Sequence, residues 1–272
     1  GWSEIALHSA QLIPTVIASI GLFKLGMRFC KQPLLVCFVA VLTPSFLVST
    51  SVIMCEPLMI MFYIWALVFW LKGLDDKSDK HLLLAGVCIG CSALTKYVGV
   101  TTIPLLMAYT MMYERKWVSR PFAFFLIPII MLVVYDTIGR IQYDYSLLKG
   151  IVFYEAPANE MPFMQSLGTK LIHGLSFTGG SYITALFFMP LLHRWRMMGS
   201  MALVFVLAIL IGVFSASIIR EDLAYQEGII QWGFILQLAL FVTAGVYVFA
   251  LAVEDFKRSR DADSLLLLLL VI

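Results

Sequence analysis

Charge is scarce in this chain. Only 13% of its 272 residues are Asp, Glu, Lys or Arg, against 61% hydrophobic. A soluble domain of this length needs far more polar surface, so that class is excluded. Histidine is scarcer still. The four His are dispersed, and neither a His-x3-His pair nor an acidic cluster supplies metal-ligand spacing. No metal and no cofactor is therefore expected. The basic residues are scattered among loops and form no stripe, which removes nucleic acid as a partner. No Gly-rich loop reads as a nucleotide cradle. The five cysteines do not read as a disulfide scaffold, because Cys30, Cys37, Cys88 and Cys91 fall in or beside apolar helices. Cys88-x-x-Cys91 has no second Cys or His pair nearby and reads as a pair of packing thiols. No cleavable signal peptide is visible. The chain starts at Gly1 and stops inside the apolar run Leu265 to Ile272, so it reads as an internal piece of a longer protein.

What is present is a succession of apolar runs, several near the roughly 20 residues needed to cross a bilayer. They predict an all-α, polytopic transmembrane bundle of nine or ten spans. The spans are approximately 5–27, 33–52, 57–72, 82–95, 97–113, 121–139, 181–193, 199–218 and 229–253, with a tenth beginning near Ser264. The whole of 1–272 is expected to be one membrane domain. Alternate loops collect Lys24, Arg28 and Lys31, then Lys72, Lys77 and Lys80, then Arg115, Lys116 and Arg120, then Arg194 and Arg196, and finally Lys257, Arg258 and Arg260. Fourteen of the 19 basic residues thus fall on one side, the cytoplasmic one by the positive-inside bias. The other side receives Glu56, Lys96, Arg140, the 140–180 segment and Arg220. Within 140–180, Pro157 and Pro162 favour a loop. After them Met164, Leu167, Leu171 and Leu175 recur at helical spacing, which predicts an amphipathic interfacial helix over 163–177. Gly179-Gly180 reads as a flexible joint before the next span. The acid-rich run Asp75 to Asp79 reads as a solvated cytoplasmic turn.

Charges at membrane helix ends are costly unless they serve a partner or a polar substrate. Glu56, before Pro57, and Lys96, at the end of Gly86-Val-Cys-Ile-Gly90-Cys-Ser-Ala-Leu-Thr-Lys96, are the foremost candidates. Each has a plainer reading: Glu56 favours the N-terminus of its own helix, and Lys96 snorkels to headgroups. Tyr97 is a candidate contact or an interfacial aromatic. Arg140 suits a phosphate, or pairs with Asp136 at i,i+4 spacing. His8 lies near the outer end of the first span, as a site residue or a packed one. Lys149, Lys170, His173 and Arg220 are further outer-side polar residues.

From about residue 8 to 140 the chain resembles the family 39, protein mannosyltransferase-like branch of the GT-C glycosyltransferases. The resemblance rests on Leu25-Gly-Met-Arg28, on Pro44-Ser-Phe-Leu-Val-Ser-Thr-Ser51, and on Glu56-Pro57-Leu58 with Phe62 and Ala66. It continues through Gly86-x3-Gly90-x-Ser-Ala-Leu-Thr-Lys96-Tyr-x-Gly99 and Pro104. It implies a GT-C-like bundle that moves a sugar from a polyprenyl-phosphate donor to a protein, lipid or glycan acceptor. The site would lie on the non-cytoplasmic face of a cell-envelope membrane, the bacterial inner membrane, in contact with membrane lipids. Glu56 then serves as a catalytic carboxylate, and Lys96, Tyr97, Arg140 and His8 bind substrate. Two departures stand out. Such enzymes hold their principal carboxylate in a first external loop that this chain lacks, apart from at most Gly1 to Glu4, and they often carry Asp where this chain has Glu56. The alternative from another class is a transporter or lipid flippase, which more often shows paired repeats and helices broken at the midplane. A non-catalytic scaffold would tolerate neutral substitution at both charges.

Overall fold

The computed structural model describes residues 4–51, 53–116, 119–144, 146, 163–186, 195–214, 225–226, 229–230 and 232–271. The chain divides into two compact units, residues 1–156 with 261–266, and residues 157–260 with 267–272. Among the described residues, the regular structure is helical apart from one two-residue antiparallel pair.

The first unit begins with α1 (Glu4–Phe29), α2 (Pro33–Val41), α3 (Pro44–Ser51), α4 (Glu56–Asp75) and α5 (Asp79–Thr95). A 3-10 turn at Tyr97–Thr101 leads into α6 (Thr102–Glu114), and another at Arg120–Phe125 leads into α7 (Leu126–Tyr143). Proline stands in the first turn of α2 and α4, where its missing N–H costs nothing. The stretch expected as one span over 33–52 is two helices bent by 62°. Pro44 forces the break: it has no N–H to continue the ladder, and the Thr43 hydroxyl donates instead to the Ala40 carbonyl at 2.7 Å.

α4 and α5 form an antiparallel hairpin. At its turn Lys77 takes a left-handed conformation (φ 49°), and Gly73 is so close to Leu82 that a Cβ would lie 2.8 Å from its side chain. Farther along, the Ser92 hydroxyl donates to the Met59 carbonyl at 3.3 Å. α1 runs alongside α4 in the same direction: Trp65 donates to the Ile17 carbonyl at 2.9 Å, and Arg28 pairs with Asp75. α6 does likewise, since Trp70 donates to Thr110 at 2.9 Å and Tyr113 to Asp75 at 3.0 Å. α7 runs parallel to α5, with Gly86 against Phe124 and Ile127 and Gly90 against Pro128 and Met131. A Cβ at Gly90 would lie 2.4 Å from the Met131 sulfur, so that flexible side chain would have to shift to admit one. The core of the unit is Trp70, stacked on Phe125 at 4.2 Å, with Ile89, Leu106 and Tyr109 fully buried.

The second unit contains α8 (Phe163–Ser181), α9 (Trp195–Phe214), strands β1 (Tyr225–Gln226) and β2 (Ile229–Ile230), and α10 (Trp232–Ser259). α11 (Ala262–Val271) starts in the first unit and ends in the second. The helix expected over 163–177 is present and longer. Gly179 and Gly180, expected as a joint, lie inside it. The reason is packing: a Cβ on Gly179 would meet the Phe241 carbonyl at 1.7 Å, and one on Gly245 would meet the Leu175 carbonyl at 2.1 Å. The two glycines let the α8 and α10 backbones touch, which outweighs their helix-breaking tendency.

Among the described residues, four helices are long and apolar enough to cross a membrane: Ala6–Phe29, Glu56–Asp75, Arg120–Tyr143 and Trp232–Ser259. The bent α2–α3 pair passes the same test as a unit, either as a broken span or as a re-entrant loop. Large side chains such as Ile13, Phe38, Val133 and Leu203 lie exposed along several helices, an apolar exterior suited to lipid rather than water. This is a helical membrane protein.

Candidate functional site

The helix directions give the first unit two ends. One carries the starts of α1, α4 and α6 and the finishes of α5 and α7. Glu56 and Lys96 both belong to it, although 40 positions separate them. Glu56 is the first residue of α4, held by the turn into Pro57. Lys96 follows Thr95, the last residue of α5, and takes an extended conformation (φ −152°, ψ 131°). The chain then folds back on the helix it has just left. Gly99 donates to the Lys96 carbonyl at 2.8 Å, and a Cβ there would lie 2.4 Å from the Ser92 carbonyl carbon. Only glycine fits, so the motif residue Gly99 sets where Lys96 sits.

The Lys96 ammonium meets Glu56 Oε1 at 2.6 Å. The carboxylate is the chief reason that Lys96 titrates above the usual amine range, with burial opposing it. The other oxygen, Glu56 Oε2, is buried and has no hydrogen-bond partner. A carboxylate oxygen in that state retains full capacity to accept a proton or a hydroxyl hydrogen. The site is thus an ion pair with one enclosed carboxylate oxygen that has no partner of its own. Lys96 remains about a third exposed, at 36%. Tyr97 is exposed beside it.

Other expected residues lie differently. Arg140 is held within α7 by Asp136, Nε to Oδ2 at 2.8 Å, and by Ser146 at 3.1 Å. Ser146 also donates to Asp136 at 3.0 Å, so this cluster is the i,i+4 pairing with an added hydroxyl. It stands at the finish of α7, the same end of the unit as Lys96. His8 is exposed, one turn before Gln11 on α1. Lys170 and His173 are exposed on α8 in the second unit. Tyr145, Lys149, the 154–162 stretch, Arg194 and Arg220 fall outside the described residues.

Sequence reasoning missed two features. Gln11 donates to the Met54 carbonyl, tying α1 to the turn that presents Glu56. A Gln within an apolar helix was the available signal. At the opposite end Arg28 donates to Asp263 at 3.1 Å and to Tyr109 at 3.1 Å, and also pairs with Asp75. Tyr109 donates to Asp263 at 2.9 Å. Leu25-Gly-Met-Arg28 was visible as a motif, but its partners come from three other helices.

Residues 1–138 match the family described as dolichyl-phosphate-mannose-protein mannosyltransferase. The chain belongs to this family. It is therefore a membrane glycosyltransferase of the protein mannosyltransferase type. Curated proteins and solved structures give no match. The mannosyltransferase match spans α1 to most of α7 and so contains His8, Glu56, Lys96 and Tyr97, while Arg140 lies just past its end.

Proposed function

We propose that this mannosyltransferase-family chain transfers a sugar from a polyprenyl-phosphate donor to an acceptor hydroxyl at the non-cytoplasmic face, with the Glu56–Lys96 pair at the reacting end. The observation that carries the reading is the pair itself: a 2.6 Å contact between helix ends, with Glu56 Oε2 buried and unpartnered. A lipid tail partitions into the bilayer, while phosphate and sugar need a polar site at the interface. Lys96 supplies a cation for the donor phosphate. Glu56 supplies an acceptor for the incoming hydroxyl proton or orients that hydroxyl. When the phosphate takes Lys96, Glu56 loses its counter-ion and becomes the stronger base. Tyr97, Arg140 and His8 lie at the same end and extend the contact surface for donor and acceptor.

In this reading the shorter helices α5 and α6 also cross the membrane, at a tilt, within a GT-C-like bundle of nine or ten spans. Membership of the family supports the transfer chemistry, and the fourteen-to-five division of basic residues supports the sidedness. The test is an in vitro transfer assay with polyprenyl-phosphate mannose, comparing wild type with Glu56→Gln and Lys96→Ala. Full activity in the double variant would remove the pair from the mechanism.

A further inference from the structure

The end of the first unit opposite the Glu56–Lys96 pair holds a cavity of about 330 Å³ between α1, α4 and the start of α5. We propose that it binds the phosphate of a membrane-lipid headgroup through Lys24, Lys72 and His81. The three side chains line it together with Arg28. Arg28 is already committed to Asp75, Asp263 and Tyr109, and forms a fixed wall. Among the described residues, neither Lys24 nor Lys72 has a carboxylate partner. Lys24 instead lies over the Trp65 ring at 4.8 Å, a contact that leaves ammonium protons available for an anion. Lys72 is exposed. His81 stacks on Phe69 at 6.4 Å, and its Nδ1 is buried without a hydrogen-bond partner. An unpaired buried ring nitrogen is costly, and a phosphate oxygen accepting from Nδ1–H would satisfy it once the His81 ring turns toward the cavity.

The rest of the lining favours a lipid over a soluble phosphate. Leu25, Met27 and Val68 share the cavity with the cationic groups, and Met27 is 55% exposed. Apolar wall beside cationic head is the pattern that an acyl chain and its phosphodiester require. Of the two acids present, Asp75 accepts from Arg28 and Tyr113, so it leaves the two lysines uncompensated. Asp76 is exposed at the same cavity and disfavours multiply charged anions, which points to a singly charged phosphodiester.

The experiment is equilibrium binding of fluorescent phosphatidylglycerol to the full chain in detergent, with diacylglycerol and glycerol 3-phosphate as comparison probes. Phosphatidylglycerol should bind, and Lys24→Gln with Lys72→Gln should weaken it about tenfold or more, since two charged hydrogen bonds are lost. His81→Ala should weaken it less, Lys72→Arg should retain it, and Lys257→Gln on α10 should leave it unchanged. Equal binding of diacylglycerol, or unchanged binding by the double variant, would overturn the phosphate site. Competition by glycerol 3-phosphate at equal concentration would overturn the lipid as its source.

Discussion

In the proposed transfer Glu56 and Lys96 divide one small site between two chemical tasks, and substitutions should separate them. Lys96→Ala removes the cation and leaves Glu56 charged, so donor use should fall about tenfold or more, as for loss of one charged hydrogen bond. The measurement is KM for polyprenyl-phosphate sugar. Glu56→Gln keeps shape and removes the base. Turnover should drop about a hundredfold or more, with a smaller change in donor binding. Equal losses of both parameters in both variants would contradict the division of roles. Gly99 matters for a steric reason: Ala there would bring a Cβ to 2.4 Å from the Ser92 carbonyl carbon. Gly99→Ala should destabilise by about 1–3 kcal/mol through overpacking and should displace Lys96. Thermal unfolding in detergent, read alongside donor KM, checks both consequences.

At the scale of elements, helices are tied by charge at both ends of the first unit and by glycine-mediated contact in the second. The Arg28 cluster joins α1, α4, α6 and the start of α11. Arg28→Ala would leave Asp75 and Asp263 without their shared cation. The expected loss is roughly 1–2 kcal/mol, below that of a buried pair, since Asp75 and Asp263 are 41% and 35% exposed. Arg28→Lys should recover only part of it, because an ammonium cannot reproduce the forked contact with Asp263. In the second unit Gly179→Leu should separate α8 from α10, where backbones now meet. Thermal unfolding in detergent should show the lost contact as a lower midpoint in that variant.

For the whole molecule, the decisive expectation is sidedness. α4 and α5 place Asp76 at one end of their hairpin and Tyr97 at the other. In a background without the five native cysteines, single cysteines at these positions should react with an impermeant reagent from opposite sides of the membrane. Position 97 should label from the non-cytoplasmic side. Labelling of both from one side would defeat the assignment, together with the proposed location of the transfer site.

Composition and order determined a good deal of this. Hydropathy marked the helical membrane class because a backbone in hydrocarbon must satisfy its own hydrogen bonds. The alternating basic loops marked helix direction, which the contacts of α1, α4, α5, α6 and α7 repeat in space. Glu56 and Lys96 stood out because isolated charges beside apolar helices are costly. Their 2.6 Å contact did not follow from sequence, since it depends on how the α4–α5 hairpin closes and on Gly99 folding back over Ser92. The bend before Pro44 and the continuation of α8 through Gly179 were settled by local hydrogen bonding and by packing against α10, neither of which hydropathy encodes. The Arg28 cluster was decided by tertiary structure alone. Arg28 and Asp263 are 235 positions apart, and no local pattern states which distant helix end will supply a charge its partner.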